Sequence, residues 1–361
     1  MHTVTVPGSS APGQEGSRNE SRTGSAAPHG VTRVAVAGAT GFTGQELLRL
    51  LSRHPSVTIT AAMSSGATAA RKLPALSRLW TGEIVPLSPD TLKTADVVFL
   101  ALPDAAAAGL APALVDAGVR VIDLSGAFRL KDQAARARWY PETHRVPAGT
   151  AYGLTELERP AVAAARLVAN PGCYPTATLL ALAPLVSAGL LTPNTDIVVD
   201  AKSGVSGAGK TPSERTHFSE CHGSLAAYGV FGHRHGAEIE QGVVADGKAP
   251  SVTFVPHLVP LDRGLLATIY VRLAPGTTEE SLGDVYQQAY GTAPFVRLVG
   301  SSLPEIKHVA HTNFCDIGWR VDPSGRAVLV SVIDNLLKGA SGQAVQNLNV
   351  MLGIDERTGL W

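Results

Sequence analysis

The sequence predicts an α/β protein in two parts: a parallel sheet wrapped by helices, then an α+β region whose sheet is mixed or antiparallel. Two patterns carry this. Up to residue 171, short and nearly continuous apolar runs alternate with segments of helical spacing, as buried parallel strands with crossover helices do. From residue 172 the candidate strands lengthen, and several alternate polar with apolar side chains, which marks strands with one wet face. A chain of 361 residues is long enough for two cores.

Residues 1–30 are rich in Ser, Gly, Pro and Arg and read as a disordered tail, because they hold too little apolar surface to offset the entropy of ordering. They lack the apolar stretch of a secretory signal, and Glu15 and Glu20 count against a transit peptide. Residues 31–37 (VTRVAVA) read as the first strand, 45–53 as a helix and 57–63 as the second strand. Residues 95–102 and 119–124 are further buried strands, with an Ala-rich helix at 105–117 despite Pro112. The apolar stretch 177–191 is too short to span a bilayer and reads as a buried helix. Strands follow at 197–201, 251–258, 265–273 and 327–333, with a helix at 279–290. The tail from 336 to 352 is helical again and suited to pack back onto the first part.

Lys and Arg total 30, as do Asp and Glu, so no net field draws nucleic acid or an anionic membrane. The three cysteines, Cys173, Cys221 and Cys315, are odd in number and widely spaced. That speaks for a reducing compartment, the cytoplasm, and against a disulfide framework.

The run Gly38, Ala39, Thr40, Gly41, Phe42, Thr43, Gly44 lies between the first strand and the first helix. There the glycines let the backbone approach a pyrophosphate, and the helix N-terminus supplies free N–H donors. This makes the first part a candidate dinucleotide-binding domain. Ser64 and Ser65 end the second strand where NAD sites place an acid, and Arg71 and Lys72 follow. That environment suits a 2′-phosphate, so NADP is expected. Leu102 and Pro103, ending the strand at 95–102, join the cofactor side.

Cys173 follows Asn170-Pro171-Gly172 and precedes an apolar helix. A helix N-terminus lowers a thiol pKa and favours the thiolate, the form that attacks an acyl carbon. Cys221 and Cys315 lack that setting and read as inert. In His233-Arg234-His235-Gly236-Ala237-Glu238, His233 is the expected base, oriented by Glu238, with His235 as competitor or substrate contact. The remaining ligands for a metal are missing, so none is expected. Tyr228 belongs to the Gly/Tyr-rich loop before this motif and is taken as a substrate contact. The loop from Lys202 to Lys210, with Ser203, Gly204, Ser206 and Gly207, offers backbone N–H groups, hydroxyls and cations for a phosphate. Gly204, Gly209, Lys210 and Thr211 match a triphosphate-binding loop literally, and substrate phosphate ranks above that reading. Ser125 and Arg129 end a parallel strand, where an Arg clamps a carboxylate or phosphate, or forms a surface ion pair.

With these pieces assembled, the chain resembles the N-acetyl-γ-glutamyl-phosphate reductases of arginine biosynthesis. The matching segments are GATGFTG at 38–44, NPGCYPTA at 170–177, KSGVSGAGK at 202–210, HRHGAEI at 233–239 and NLLKGASGQAVQN at 335–347. The resemblance implies a Rossmann domain at 31–171 plus 334–361, a catalytic and dimerisation domain at 172–333, and a homo-oligomer, dimer or tetramer. It implies Cys173 as nucleophile, a base in the His233/His235 pair, and Asn335 and Gly339 near the nicotinamide. The small-molecule acyl phosphate would contact Arg129, Ser125, Asn170, Lys202, Ser206, Gly207 and Tyr228, with Ser203 and Gly204 on the cofactor side. Two segments depart from the family pattern: Gly126-Ala127 stands for Ala-Asp, and Ala237 stands for Pro. Reduction of another acyl phosphate such as aspartyl phosphate, or a non-catalytic NADP-binding scaffold, are the alternatives.

Overall fold

The computed structural model describes residues 30–66, 69–244 and 250–361. The tail read at 1–30 lies, but for Gly30, outside them. Val31–Trp361 builds two seven-stranded sheets.

The first sheet contains β1 (Thr32–Ala37), β2 (Val57–Ser64), β3 (Ile84–Pro86), β4 (Val97–Leu100), β5 (Arg120–Asp123), β6 (Ala151–Tyr152) and β7 (Leu167–Ala169), in the order β3-β2-β1-β4-β5-β7-β6. Every pairing in it is parallel. Between the strands run α1 (Phe42–Leu51), α2 (Pro89–Leu92), α3 (Asp104–Asp116), α4 (Gln133–Trp139) and α5 (Thr155–Ala164). Successive residues of β1 point to opposite faces. Val34 and Val36 pack with Leu47, Leu48 and Leu51 of α1, and Ala35 and Ala37 pack with Ala107, Ala111 and Leu114 of α3. Both faces are therefore covered, which is why these strands read as unbroken apolar runs. Each fully buried leucine contributes about 1.5–3 kcal/mol.

The chain enters the second half through α6 (Cys173–Ser187). It then forms β8 (Ile197–Gly204), α7 (Phe218–Cys221), β9 (Ala226–Ala227), α8 (Arg234–Gly242), β10 (Val252–Val259), β11 (Leu265–Arg272), α9 (Glu279–Tyr290), β12 (Val296–Gly300), β13 (Cys315–Val321) and β14 (Arg326–Ile333). The sheet order is β12-β13-β14-β11-β8-β10-β9, with parallel pairs at β8–β10 and β12–β13 and antiparallel pairs elsewhere. The expected fold class is what forms: a parallel α/β sheet followed by a mixed one. α6 lies on the inner face of this sheet, in one core with α8, α9, β8, β11 and β14. Its side chains from Tyr174 to Leu185 are all buried.

The helix read at 336–352 is two elements. A single π turn covers Leu337–Ser341, and α10 (Gly342–Leu352) follows. Ala344, Val345 and Leu348 of α10 join Leu47 and Leu48 in one core. The last helix thus returns to the first sheet.

Candidate active site

The glycine turn brings three backbone segments into contact. Gly38 adopts φ +87°, and a Cβ there would fall on the carbonyl of Ala101, just past β4. A Cβ at Gly44 would fall on the carbonyl of Gly38. Gly41 caps α1 with no side-chain bond, so no side chain competes for the first-turn N–H groups near Phe42 and Thr43. Thr40 Oγ1 lies 3.1 Å from Ser64 Oγ, joining the turn to the end of β2. Ser65 is exposed beyond it, as are Arg71 and Lys72. Leu102 is buried and Pro103 precedes α3. Close backbone approach and an uncapped helix start are what a dinucleotide pyrophosphate requires, so these residues fit that group.

Cys173 is the first residue of α6, after Gly172 in extended conformation. Two glycines make room for it. A Cβ at Gly172 would collide with the His235 ring and lie 2.9 Å from Arg129 Nη1, and one at Gly339 would lie 2.8 Å from Cys173 Cβ. The sulfur's residue is only partly buried. The expected low thiol pKa is corrected: burial pushes it up to about 11, against the Tyr174 N–H and the Arg129 guanidinium, which pull it down. The helix start is there, but desolvation outweighs it in the unliganded chain.

His233 caps α8, its Nδ1 accepting from the His235 N–H at 3.1 Å. Burial and neighbouring Arg234 hold its pKa down to about 4, so the ring is neutral near pH 7. His235 is buried, held neutral by burial and by Arg129, with Nε2 3.4 Å from Arg129 Nη1.

Glu238 does not orient His233, a second correction. Its carboxylate accepts from the Gly172 N–H at 2.9 Å and the Tyr152 hydroxyl at 2.7 Å, and pairs with Arg129 at 3.3 Å. His233 lies outside the helix, whereas His235 and Glu238 are three residues apart on one face. Glu238 therefore fixes the turn that delivers Cys173.

Arg129 is likewise neither an open clamp nor a surface pair. Nε donates to the Asn170 carbonyl at 2.8 Å, Nη2 to the Leu124 carbonyl at 2.9 Å, and Nη1 faces Glu238. Ser125 donates to Asp123 at 2.7 Å. The Asn170 amide donates to the Ala340 carbonyl at 3.1 Å and accepts from Asn347 at 3.0 Å. All three side chains are buried and bonded within the chain. Next to them, a Cβ at Gly126 would fall on the Tyr140 ring, and the buried Tyr140 hydroxyl has no partner among the described residues.

On β8 the two-residue period separates Lys202 from Ser203. Lys202 pairs with Asp200 at 2.6 Å, beside His257, on the face away from α6, so the structure does not bring it to the nucleophile. Ser203 is buried, and its Oγ lies 2.8 Å from where a Gly207 Cβ would stand. Asn335 donates to Ser206 Oγ at 3.0 Å and accepts from the Gly264 N–H at 2.8 Å. Gly204 packs on the Leu261 carbonyl. Asn335, Ser206 and Gly207 thus gather on one side and Gly339 on Cys173. Tyr228 meets the His233 ring edge-on at 5.5 Å and donates to the Tyr174 hydroxyl at 3.4 Å.

A cavity of about 800 Å³ opens here, lined by Gly207, Arg215, Tyr228, His233 and Arg234 among others. Arg215, stacked over Tyr228 at 5.2 Å, and Arg234, paired with Asp104 at 2.5 Å, were not singled out from sequence. Arg234 had a visible signal, its place between two histidines. Arg215 had none.

Residues 33–165 match the family model described as the NAD binding domain of semialdehyde dehydrogenase, and residues 173–335 match its dimerisation domain. N-acetyl-gamma-glutamyl-phosphate reductase from Syntrophobacter fumaroxidans is 46% identical over 337 residues, 91% of this chain and 97% of that protein. The enzyme of the same name from Symbiobacterium thermophilum is 48% identical over 339 residues, 91% and 97% of the two chains. This chain belongs to the N-acetyl-γ-glutamyl-phosphate reductase family. The resemblance read from the motifs holds over 91% of this chain. This chain shares its fold with aspartate semialdehyde dehydrogenase II from Vibrio cholerae, at TM-score 0.68 and 19% identity over 89% of this chain and 98% of that one. Among the described residues, no helix is long and apolar enough to cross a membrane.

Proposed function

We propose that this chain reduces N-acetyl-glutamyl 5-phosphate to N-acetyl-glutamate 5-semialdehyde and phosphate, with NADPH as reductant, in arginine biosynthesis. The observation that carries the reading is Cys173 heading α6 against Gly339, with neutral His233 on the adjoining cavity. Membership of the family, at 44–48% identity across the relatives compared, supports it.

Gly38, Thr40, Gly41, Phe42, Thr43, Gly44 and Ser64 would hold the dinucleotide, with Leu102, Pro103, Asn335 and Gly339 toward its nicotinamide end. When bound, NADPH supplies the hydride that reduces the acyl group. His233 accepts the thiol proton as Cys173 attacks the acyl carbon; the C–S bond forms and the C–OPO₃ bond breaks. The N–H groups at the start of α6 stabilise the oxyanion. Ser206, Gly207 and Ser203 line the departing phosphate. His233, protonated by that transfer, returns the proton to the acyl oxygen as it is reduced, leaving a thiohemiacetal on Cys173; the ring then takes the hydroxyl proton, the C–S bond breaks, the semialdehyde leaves, and the thiolate recovers the proton from the ring. Glu238 and Arg129 keep Cys173 in register throughout.

The same reading divides the folded chain into 31–171 plus 334–361 and 172–333, supported by the separate sheets and the return of α10. It makes the protein a homo-oligomer, supported by its match to a dimerisation domain, and places it in the cytoplasm, supported by three unpaired cysteines. The test is phosphate-dependent reduction of NADP⁺ with N-acetyl-glutamate semialdehyde, run beside aspartate semialdehyde. The acetylglutamate substrate turns over faster, and Cys173→Ser binds NADP⁺ but loses turnover by roughly 10³-fold or more. Near-normal turnover in that variant eliminates the thioester, and preference for aspartate semialdehyde eliminates the substrate.

A further inference from the structure

The loop after β8 is a wall between two cavities. Ser206, Gly209 and Lys210 line one of about 540 Å³ beside α1, whereas Gly207 and Ala208 line the larger cavity that holds His233. Thr216 borders both. The base of the loop is fixed: Val205 N–H donates to the Leu261 carbonyl at 2.7 Å, and Asn335 holds Ser206. Its far end turns at Gly209, φ +85°, and carries Lys210 across to the glycine turn, where Nζ donates to the Thr40 carbonyl at 3.3 Å. Residues 38–45 contain no cationic side chain. Glu46, the nearest carboxylate on α1, is engaged by Arg49 and Arg263. Lys210 forms no ion pair among the described residues. An exposed ammonium is thus placed, with no carboxylate of its own, beside a helix start shaped for phosphate.

Resting on the cofactor reading above, we propose that Lys210 is a ligand of the dinucleotide pyrophosphate, supplied by the second sheet to the first, and that this contact couples cofactor binding to the substrate cavity. Sequence spacing places Lys210 in the substrate phosphate loop, whereas its ammonium is at the cofactor turn. An anion at the start of α1 draws the ammonium from a carbonyl to a phosphate, a stronger charge-assisted bond. The loop is then pinned at both ends, which fixes Gly207 and Ala208 on the substrate side. A cofactor that orders this wall lowers the ordering cost of the second ligand.

The test is calorimetric titration of the full chain with NADP⁺ and with adenosine 2′-monophosphate, which lacks the pyrophosphate. Lys210→Gln weakens NADP⁺ binding roughly tenfold and leaves adenosine 2′-monophosphate unchanged, and Lys210→Arg restores the affinity. Inorganic phosphate, titrated with and without saturating NADP⁺, binds more tightly with it in the wild type and equally in Lys210→Gln, as reciprocal coupling requires. Unchanged NADP⁺ affinity in Lys210→Gln, or equal loss of both nucleotides, overturns the assignment, and coupling that persists in the variant overturns the wall. A wild-type chain that binds no NADP⁺ fails the cofactor reading instead.

Discussion

At the residue scale, the nucleophile and its surroundings pull in opposite directions. With the Cys173 thiol at about 11 and His233 at about 4, the resting pair is neutral thiol and neutral imidazole, not an ion pair. Alkylation of Cys173 by iodoacetamide should therefore climb with pH through and beyond about pH 9 rather than level off near neutrality. Rates of labelling followed by mass spectrometry check this, and a plateau by about pH 7 contradicts it. Deprotonation then accompanies substrate arrival instead of preceding it. Chemical identity was legible here, because a Cys between Pro-Gly and an apolar helix has few other settings. Its protonation was not, because desolvation depends on side chains far off in sequence. The same limit misplaced Glu238 and Arg129. Glu238 reads as the partner of His233 and Arg129 as a ligand contact, yet they satisfy one another and the Asn170 and Gly172 backbone.

At the element scale, the π turn Leu337–Ser341 is the piece that helical spacing could not reveal, since one inserted residue barely alters an apolar period. Asp334 accepts from the N–H groups of Leu336 and Leu337 at 2.8 and 3.0 Å and so starts the turn, which brings Gly339 onto Cys173. A methyl group there would stand 2.8 Å from Cys173 Cβ and 3.2 Å from Ile333 Cδ1. Gly339→Ala should cost about 1–3 kcal/mol of stability by overpacking. It should also lower kcat more than it weakens NADP⁺ binding, because the methyl group presses on the nucleophile and not on the glycine turn. Urea unfolding and steady-state kinetics together check it; full activity would mean that the sulfur's position is not critical. α9 was legible at both ends, whereas α5, α8, β12 and β13 had no counterpart in the sequence reading. The two-residue strand β6 and the three-residue strand β7 were not legible either, because so short a run has no period of its own.

At the scale of the whole molecule, Arg263 ties the two sheets together. It leaves the β10–β11 connection to pair with Glu46 of α1 at 2.7 Å and with Asp334, just past β14, at 3.2 Å. Both carboxylates are at least nine-tenths buried. Arg263→Met should destabilise the fold by about 3–5 kcal/mol, because it leaves the buried Asp334 without a cation and Glu46 with Arg49 alone, and thermal unfolding reads this out. Burial works to raise the Glu46 pKa, yet Arg49 and Arg263 hold it below its ordinary 4.5. Its contribution is thus complete above pH 4.5 and is lost as the pH falls through the lower folded value. The difference between wild type and variant should accordingly shrink under acid. Two sheets, their order of appearance and the return of the last helix were all legible, since each rests on local periodicity. The bond between the sheets was not, since nothing in the neighbourhood of residue 263 announces a partner more than two hundred positions upstream.

The hollow at Gly126 binds two positions of the chain into one packing unit. A methyl group at 126 has no room while the Tyr140 ring stands in its place, and a smaller residue at 140 would leave a void lined by the glycine backbone. Either substitution alone should therefore cost stability, and the two together less than their sum.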